Sequence, residues 1–202
     1  IIAYISLNQK KKSENRCVTA CLKGLKLLEY RGYDSSGIAG IIDGQIKSCK
    51  RAGKVNALIA AVESQKLRLD VAIAHTRWAT HGSPNEKNAH PHFDQKRSLA
   101  IVHNGIIENH TSIRNKLEGK GVHFNSDTDS EVIAQLISFH YKGDLKKALQ
   151  LSMKELQGSL AIALVHKEHP NKIFAASRES PLVLGVDEKN QEAYLASDAN
   201  SF

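Results

Sequence analysis

The chain has 202 residues, of which 41% are hydrophobic and 24% are charged, and its formal net charge is +7. These values are typical of a globular protein with one domain or two small ones. No apolar run approaches the roughly 18 residues of a membrane-spanning helix, so we expect no membrane partner. The basic residues are scattered and aromatic residues make up only 5% of the chain. We therefore expect no nucleic-acid partner, whereas a small anionic substrate stays compatible with the charge.

The chain contains three cysteines, Cys17, Cys21 and Cys49. An odd and low number of cysteines favours a reducing compartment, so we predict a cytoplasmic protein. Cys17 and Cys21 are four positions apart in a helical pattern and share one face of that helix. We interpret them as buried thiols rather than as half of a metal site, since no other cysteine or histidine is close in sequence.

The first third of the chain alternates between strands and helices. Apolar β-branched runs predict strands, and apolar residues recurring every three or four positions predict helices. Residues 31–37 are predicted as a polar turn with a glycine near each end, and Asp43-Gly44 is a hairpin signal. The predicted elements are a strand at 1–6, a helix at 16–30, strands at 38–42 and 45–51, and a helix at 55–65.

The remaining elements follow from the same patterns and from capping residues. Asn109 and Asp144 are predicted helix N-caps, and Thr128 with Glu131 forms a capping-box pattern. The helix that begins at Thr128 carries an apolar stripe that includes Phe139. Strands are predicted at 71–74, 99–103, 160–165, 173–176, 182–186 and 193–196, and helices at 109–118, 128–139 and 144–156. This order lacks steady βαβ alternation, which favours one α+β domain of antiparallel sheets with helices on the outer faces.

An unusually polar stretch, 74–105, lies between two of the predicted strands. Polar side chains that leave strand ends in this density indicate a binding site rather than a core. The chain has five histidines there, at positions 75, 81, 90, 92 and 103. They could bind a metal ion, but no acidic residue accompanies them in a ligand-like pattern and no H-E-x-x-H motif is present. We therefore expect no metal site and keep a metallohydrolase as an alternative.

Two charged residues suit the recognition of an amino acid. The guanidinium of Arg77 could bind a carboxylate through two hydrogen bonds, although for this residue in isolation a surface ion pair is the more common explanation. Asp129 lies just inside the capping box, where the helix dipole alone favours an acidic residue. If the two residues share one site, Arg77 would bind an α-carboxylate and Asp129 an α-ammonium group.

Two short motifs could contribute to catalysis. The side-chain amide of Asn104 and the backbone N–H of Gly105 could form an oxyanion hole, although Asn-Gly is also a common turn. Arg31 and Gly32 follow a predicted helix, and they could simply end it. No cysteine of the chain lies in a motif that looks activated, so the residues leave the nucleophile unassigned.

Five sequence blocks together resemble the glutaminase domain of the glutamine–fructose-6-phosphate aminotransferases. Their order and spacing also agree with that family, and the resemblance covers essentially the whole chain. The blocks are Leu28–Ala39, His75–Gly82, Asn88–His92, Val102–Asn109 and Ser126–Ile133.

The resemblance implies a fold and an activity. The family has the four-layer αββα sandwich of N-terminal nucleophile hydrolases, with two mainly antiparallel sheets, and it hydrolyses L-glutamine without a cofactor. The ammonia is used to convert fructose 6-phosphate to glucosamine 6-phosphate. The family nucleophile is an N-terminal cysteine, whose place in this sequence is before Ile1. We therefore expect 1–202 to be a glutaminase domain that lacks its first residues and its C-terminal end, and to be inactive by itself. The resemblance also implies a sugar isomerase domain in the same full-length chain, and a homo-oligomer.

The resemblance also assigns roles to individual residues. Asn104 and Gly105 would be the oxyanion-hole donors, and Arg77 and Asp129 would bind the α-carboxylate and α-ammonium groups of glutamine. The other residues would cover, gate or support the site: Thr80 and His81 in the covering loop, Trp78 as the gating residue, Arg31 and Gly32 beside the nucleophile, and His90 close by.

Two alternatives stay open. Amidophosphoribosyltransferases share the Arg-Gly and His-Thr-Arg motifs, but Tyr33 and Trp78 do not fit their usual pattern. A non-catalytic domain that binds glutamine is the alternative from a different class, because the sequence as given contains no residue at the position of the nucleophile.

Overall fold

The computed structural model describes residues 1–8, 15–78, 83 and 85–201. Within these residues, the chain forms ten strands and five α-helices. The strands are β1 (Ile2–Ser6), β2 (Ser35–Ile42), β3 (Gln45–Ala52), β4 (Val71–Arg77), β5 (His92–Phe93), β6 (Leu99–Gly105), β7 (Leu160–His166), β8 (Phe174–Arg178), β9 (Val183–Asp187) and β10 (Glu192–Ala196). The helices are α1 (Arg16–Leu28), α2 (Val55–Ser64), α3 (His110–Glu118), α4 (Asp129–His140) and α5 (Leu145–Glu155), and two 3₁₀ turns cover Glu29–Arg31 and Ala199–Ser201.

The strands form two antiparallel sheets. The first has six strands in the order β3-β2-β4-β1-β10-β9, and the second has four in the order β5-β6-β7-β8. Every adjacent pair of strands is antiparallel. β1 lies in the interior of the six-stranded sheet, between β4 and β10, so its first residue is surrounded by protein.

Three buried apolar clusters divide the molecule into four layers. One cluster joins α1 and α2 to the outer face of the six-stranded sheet. A second lies between the sheets and includes Ile73 of β4 and Val102 of β6. The third joins the four-stranded sheet to α3, α4 and α5. Because side chains alternate between the two faces of a strand, each sheet can contribute to two clusters. The prediction of an α+β fold with αββα layers is therefore confirmed.

The limits of several elements differ from the predictions. The predicted turn at 31–37 is wrong in its second half, because Ser35–Ile42 forms β2 and pairs with both β3 and β4. β4 and β6 each continue beyond the predicted ends, to Arg77 and Gly105. The short strand β5 was not predicted at all. In β2, β4 and β6 a polar residue is held in a ladder with a strand that is distant in sequence, which local patterns do not report.

The capping predictions have mixed outcomes. Thr128 accepts a hydrogen bond from the Glu131 N–H, and Asp144 accepts one from the Lys147 N–H. Asn109 precedes α3, but its side chain makes no capping bond. It instead donates to the Glu155 carbonyl at 2.8 Å and accepts from the backbone of Gln157. Phe139 is 37% exposed and does not belong to the buried stripe of α4.

Among the described residues, no helix combines the length and apolar character that crossing a bilayer requires.

Candidate active site

A cavity of about 290 Å³ opens where Ile1, the residue before β1, meets the ends of β4 and β6. Ile1 forms part of its wall, together with residues from both sheets and from α4. Most of the residues selected from the sequence also line it, namely Arg31, Arg77, Trp78, His90, Asn104, Gly105 and Asp129. Gly32 packs against the backbone of Arg77 and Trp78, which belong to this group. Thr80 and His81 lie outside the described residues.

The strand register explains why a cavity forms here. Ile2 of β1 pairs with Ala74 on one side and with Ala196 on the other. β4 continues for three residues beyond Ala74 and stays paired with β2, as far as the Ser35–Arg77 pair. The last residues of β4 therefore extend past Ile2, and the start of β1 lies beside them.

Arg77 is a buried cation at the end of β4. Its side chain lies on the same strand face as Ile73, which packs between the sheets. Only 5% of Arg77 is exposed. Burial lowers the pKa of the guanidinium, while the nearby carboxylates of Asp129 and Asp34 favour its charged form. Its position in the wall of the cavity suits it to bind an anionic group.

Asp129 places a buried carboxylate in the wall of the same cavity. It is the first residue of α4 and is 4% exposed. Its Oδ2 accepts a hydrogen bond of 3.0 Å from the backbone N–H of Ile107, and its Oδ1 accepts one of 3.4 Å from the hydroxyl of Ser130. The helix N-terminus also favours its negative charge. The carboxylate is thus held in place from two directions.

Asn104 and Gly105 end β6 inside the cavity wall. The Asn104 amide Nδ2 lies 3.5 Å from the Ser180 hydroxyl oxygen. Gly105 has φ of +134°, and a Cβ at this position would lie 2.1 Å from the Ser159 carbonyl oxygen. Both observations require glycine here. Asn104 and Gly105 both line the same cavity.

Arg31 and Gly32 support the cavity in different ways. Arg31 donates a hydrogen bond of 3.1 Å to the Ser197 carbonyl, and the Ser197 hydroxyl lies 3.0 Å from the nitrogen of Ile1. A Cβ on Gly32 would lie 2.7 Å from backbone atoms of both Arg77 and Trp78. Gly32 therefore allows the end of β4 to pack closely.

Trp78 forms an exposed edge of the cavity. It is 60% exposed. Its ring contacts Tyr33 edge to face, with centroids 5.8 Å apart. An exposed aromatic residue next to a buried cation is consistent with a position at the cavity entrance.

A cluster of buried histidines lies behind the charged residues. The ring of His90 packs against those of His75 and His92 at centroid distances of 4.5 and 4.8 Å. Burial lowers the pKa of all three imidazoles well below the usual value, and it lowers the pKa of His103 to about 4. These rings are therefore neutral at pH 7. In the part of the chain that the structure describes, no group of three or more His, Cys, Asp or Glu residues could hold a metal ion.

Several lining residues were given no role from the sequence. Ser130 lies between His90 and His103, with its Oγ 3.0 and 2.9 Å from their ring nitrogens. Ser197 links Arg31 to the start of β1. The sequence blocks that carry the family resemblance include Ser130, but a serine beside an N-cap has an ordinary explanation. Only its contact with two histidines that are distant in sequence distinguishes Ser130 from an ordinary serine near a helix start.

Comparisons with known proteins agree with this architecture. A family of glutamine amidotransferase domains matches residues 75–202. Among curated proteins, the glutamine–fructose-6-phosphate aminotransferase (isomerizing) of Chlamydia caviae is 49% identical over 187 residues, covering 92% of this chain and 30% of the relative. That of Bacteroides thetaiotaomicron is 50% identical over 182 residues, covering 88% and 29%. The chain thus spans less than a third of the length of these relatives.

Solved structures show the same fold. Glutamine phosphoribosylpyrophosphate amidotransferase from B. subtilis superimposes with a TM-score of 0.82 at 25% identity, covering 100% of this chain and 42% of that one. A structure described as the allosteric regulatory enzyme of purine biosynthesis gives a TM-score of 0.84 at 25% identity, with the same coverage. The identity to the aminotransferases is about twice as high. On the family match and the shared fold, the chain belongs to the family of glutamine amidotransferase domains.

Proposed function

We propose that this domain hydrolyses L-glutamine to glutamate and ammonia. The observation that carries the proposal is the meeting of Arg77, Asp129 and Asn104-Gly105 in one cavity at the start of β1. A volume of about 290 Å³ suits a small molecule. A buried cation and a buried carboxylate in its walls match the two charged groups of an amino acid.

Glutamine would bind with its backbone groups at the charged residues. Arg77 takes the α-carboxylate, and Asp129 takes the α-ammonium group. Burial of both side chains strengthens these contacts, because water is excluded from them. Thr80 and His81 cover the bound substrate, Trp78 gates the entrance, and His90 contributes to the inner wall. The side-chain amide of glutamine then points toward β1 and the end of β6.

The proposed nucleophile is a cysteine that precedes Ile1 by one glycine. Its thiolate attacks the side-chain carbonyl carbon of glutamine, and the developing oxyanion accepts hydrogen bonds from Asn104 and Gly105. The free α-amino group of this cysteine, which titrates near pH ~8, takes the proton of the thiol. It then passes the proton to the leaving nitrogen of glutamine, so that ammonia departs. Water then hydrolyses the thioester and releases glutamate. Arg31 and Gly32 keep the start of β1 and the end of β4 in place. The chain that begins at Ile1 is accordingly inactive in this proposal.

In the whole protein, the ammonia would convert fructose 6-phosphate to glucosamine 6-phosphate. The names of the curated relatives support this assignment. Their additional length supports a further domain, which we propose to be the sugar isomerase of a homo-oligomeric enzyme. Cys17, Cys21 and Cys49 are buried free thiols, which supports a reducing compartment such as the cytoplasm.

Hydrolysis is tested by comparing three forms of the chain: one that begins at Ile1, one with Cys-Gly before Ile1, and one with Ala-Gly there. We expect glutamate release from the Cys-Gly form alone, and glutamine binding by calorimetry to both extended forms. Binding without hydrolysis by the Cys-Gly form would favour a non-catalytic glutamine-binding domain. Absence of binding to a form that folds, as judged by circular dichroism, would overturn both interpretations. The gene sequence upstream of the Ile1 codon tests the proposed cysteine directly.

A further inference from the structure

We propose that Ser130 is a positioning residue of the substrate site, because its hydroxyl joins His90, His103 and Asp129 into one hydrogen-bonded unit. This inference rests on the proposed glutaminase function. It adds a residue that acts on the substrate through its neighbours rather than by touching the reacting atoms.

The unit is assembled from three separate parts of the fold. Ser130 is the second residue of α4, His103 belongs to β6, and His90 precedes β5. The Ser130 Oγ lies 3.0 Å from Nε2 of His90, 2.9 Å from Nδ1 of His103 and 3.4 Å from Oδ1 of Asp129. All four residues are at most 4% exposed. Water therefore cannot easily replace any of these hydrogen bonds.

The hydroxyl has only one proton to donate, which constrains the two histidines. Both imidazoles are neutral at pH 7, so each ring carries one N–H. If the Ser130 proton points to one ring, the other ring must donate its N–H to Ser130. If both rings donate, the proton points to Asp129. In every arrangement, at least one histidine has its proton on the nitrogen that faces Ser130.

The outer nitrogens of both rings complete the argument. In the described part of the protein, Nδ1 of His90 and Nε2 of His103 have no hydrogen-bond partner. Both residues line the cavity. Because both nitrogens are buried, the hydrogen bonds to Ser130 hold the two rings in the inner wall of the cavity. Ser130 thereby constrains which nitrogen of each ring carries the proton.

Ser130 also supports the Asp129 carboxylate, but it is not that residue's only support. The Ile107 N–H holds the other carboxylate oxygen at 3.0 Å. Loss of the Ser130 hydroxyl should therefore loosen the ammonium site without destroying it. In the described chain, Ser130 makes no hydrogen bond to Asn104 or Gly105, so oxyanion stabilisation should persist. The expected signature is a higher KM with kcat nearly unchanged.

The kinetic test uses the full-length protein with its natural N-terminus and the variants Ser130→Ala, Ser130→Thr and Ser152→Ala. Ser152 is the matched control, since it is a fully buried serine on α5 whose hydroxyl donates to the Ala148 carbonyl, away from the cavity. We expect Ser130→Ala to raise KM for glutamine about tenfold, as for the loss of one hydrogen bond to a charged group. Ser130→Thr keeps the hydroxyl and should restore KM, and Ser152→Ala should leave it unchanged.

The outcomes separate positioning from general destabilisation. An unchanged KM in Ser130→Ala, or equal effects of Ser130→Ala and Ser152→Ala, would overturn the proposal. A wild-type protein without glutaminase activity would instead overturn the proposed function.

A second measurement is made on the wild-type protein and does not depend on whether the serine variants fold. Long-range ¹H–¹⁵N spectra of the wild-type protein report which nitrogen of each imidazole carries the proton, with signals assigned by His90→Gln and His103→Gln. We expect at least one proton on Nε2 of His90 or on Nδ1 of His103. Protons on both outer nitrogens together would overturn the inference.

Discussion

The carboxylate of Asp129 accepts a hydrogen bond of 3.0 Å from the backbone N–H of Ile107. Ile107 follows the Asn104-Gly105 pair by two residues, and Asp129 begins α4. The bond therefore fixes the proposed ammonium site relative to the proposed oxyanion hole. Substrate binding and transition-state stabilisation share one rigid frame, although their residues come from different elements.

Replacement of Asp129 by asparagine should weaken glutamine binding. The amide oxygen can still accept the bond from Ile107, but the negative charge opposite the α-ammonium group is lost. We expect Asp129→Asn to raise KM by about 10- to 100-fold, the range for hydrogen bonds to charged groups. The matched control is Asp127→Asn, because the Asp127 side chain is 64% exposed and, among the described residues, forms an ion pair with exposed Lys87 alone. Steady-state kinetics of the active form would contradict the assignment if both variants had the same KM.

Removal of the Asn104 side chain should affect the chemical step instead. The amide is proposed to donate to the oxyanion, which develops only as the thiolate attacks. We expect Asn104→Ala to lower kcat by about 100- to 1,000-fold with little change in KM. Asn115→Ala on the exposed surface of α3 is the control and should retain full activity. A rise in KM at constant kcat would show that Asn104 stabilises bound glutamine and the transition state equally, which would contradict the oxyanion role.

A methyl group at Gly32 should displace the end of β4. The added Cβ would lie 2.7 Å from backbone atoms of Arg77 and Trp78, which cannot rotate away. We expect Gly32→Ala to raise KM and to lower the free energy of unfolding by about 1–3 kcal/mol, as for other overpacked sites. At Gly119 a Cβ would have no atom nearer than 3.4 Å. Gly119→Ala should therefore be harmless, and similar melting temperatures for the two variants would refute the steric argument.

The buried histidines predict a loss of stability in mild acid. An unfolded histidine has a pKa near ~6.5, whereas burial lowers the pKa of His103 to about 4 and that of His90 and His92 well below the usual value. Between the folded and unfolded values, the unfolded state binds more protons, so the stability present above pH ~6.5 is lost as the pH falls. Each such histidine contributes up to about 1.4 kcal/mol per pH unit.

Urea unfolding measured between pH 7 and pH 5 tests this expectation. His103→Gln removes one of the contributing groups and should reduce the slope of stability against pH. A free energy of unfolding that stays constant over this range would contradict the neutral, buried state of the cluster. A steep slope that is unchanged in His103→Gln would assign the effect to other groups.

Local patterns were sufficient for most elements. The Thr128 and Asp144 caps and the apolar faces of the helices depend on residues that are close in sequence, and the order of the elements indicated antiparallel sheets. The ends of β4 and β6 were misjudged because His75, Thr76 and Asn104 are polar, and polar residues usually end a strand. Here they stay in the ladder because β2 and β7 supply hydrogen-bond partners from elsewhere in the chain.

The sequence by itself determined the kinds of groups available to the site: an arginine and an aspartate for an amino acid, and an Asn-Gly pair for an oxyanion. It also determined the resemblance to a family. Only the tertiary structure decided how they are held. Ser130 meets His103 across 27 positions and His90 across 40. Periodicity along a chain reports which face of an element is buried, but not which distant segment packs against it. That pairing depends on sheet register and layer packing, and these place the start of β1 beside a buried cation and a buried carboxylate.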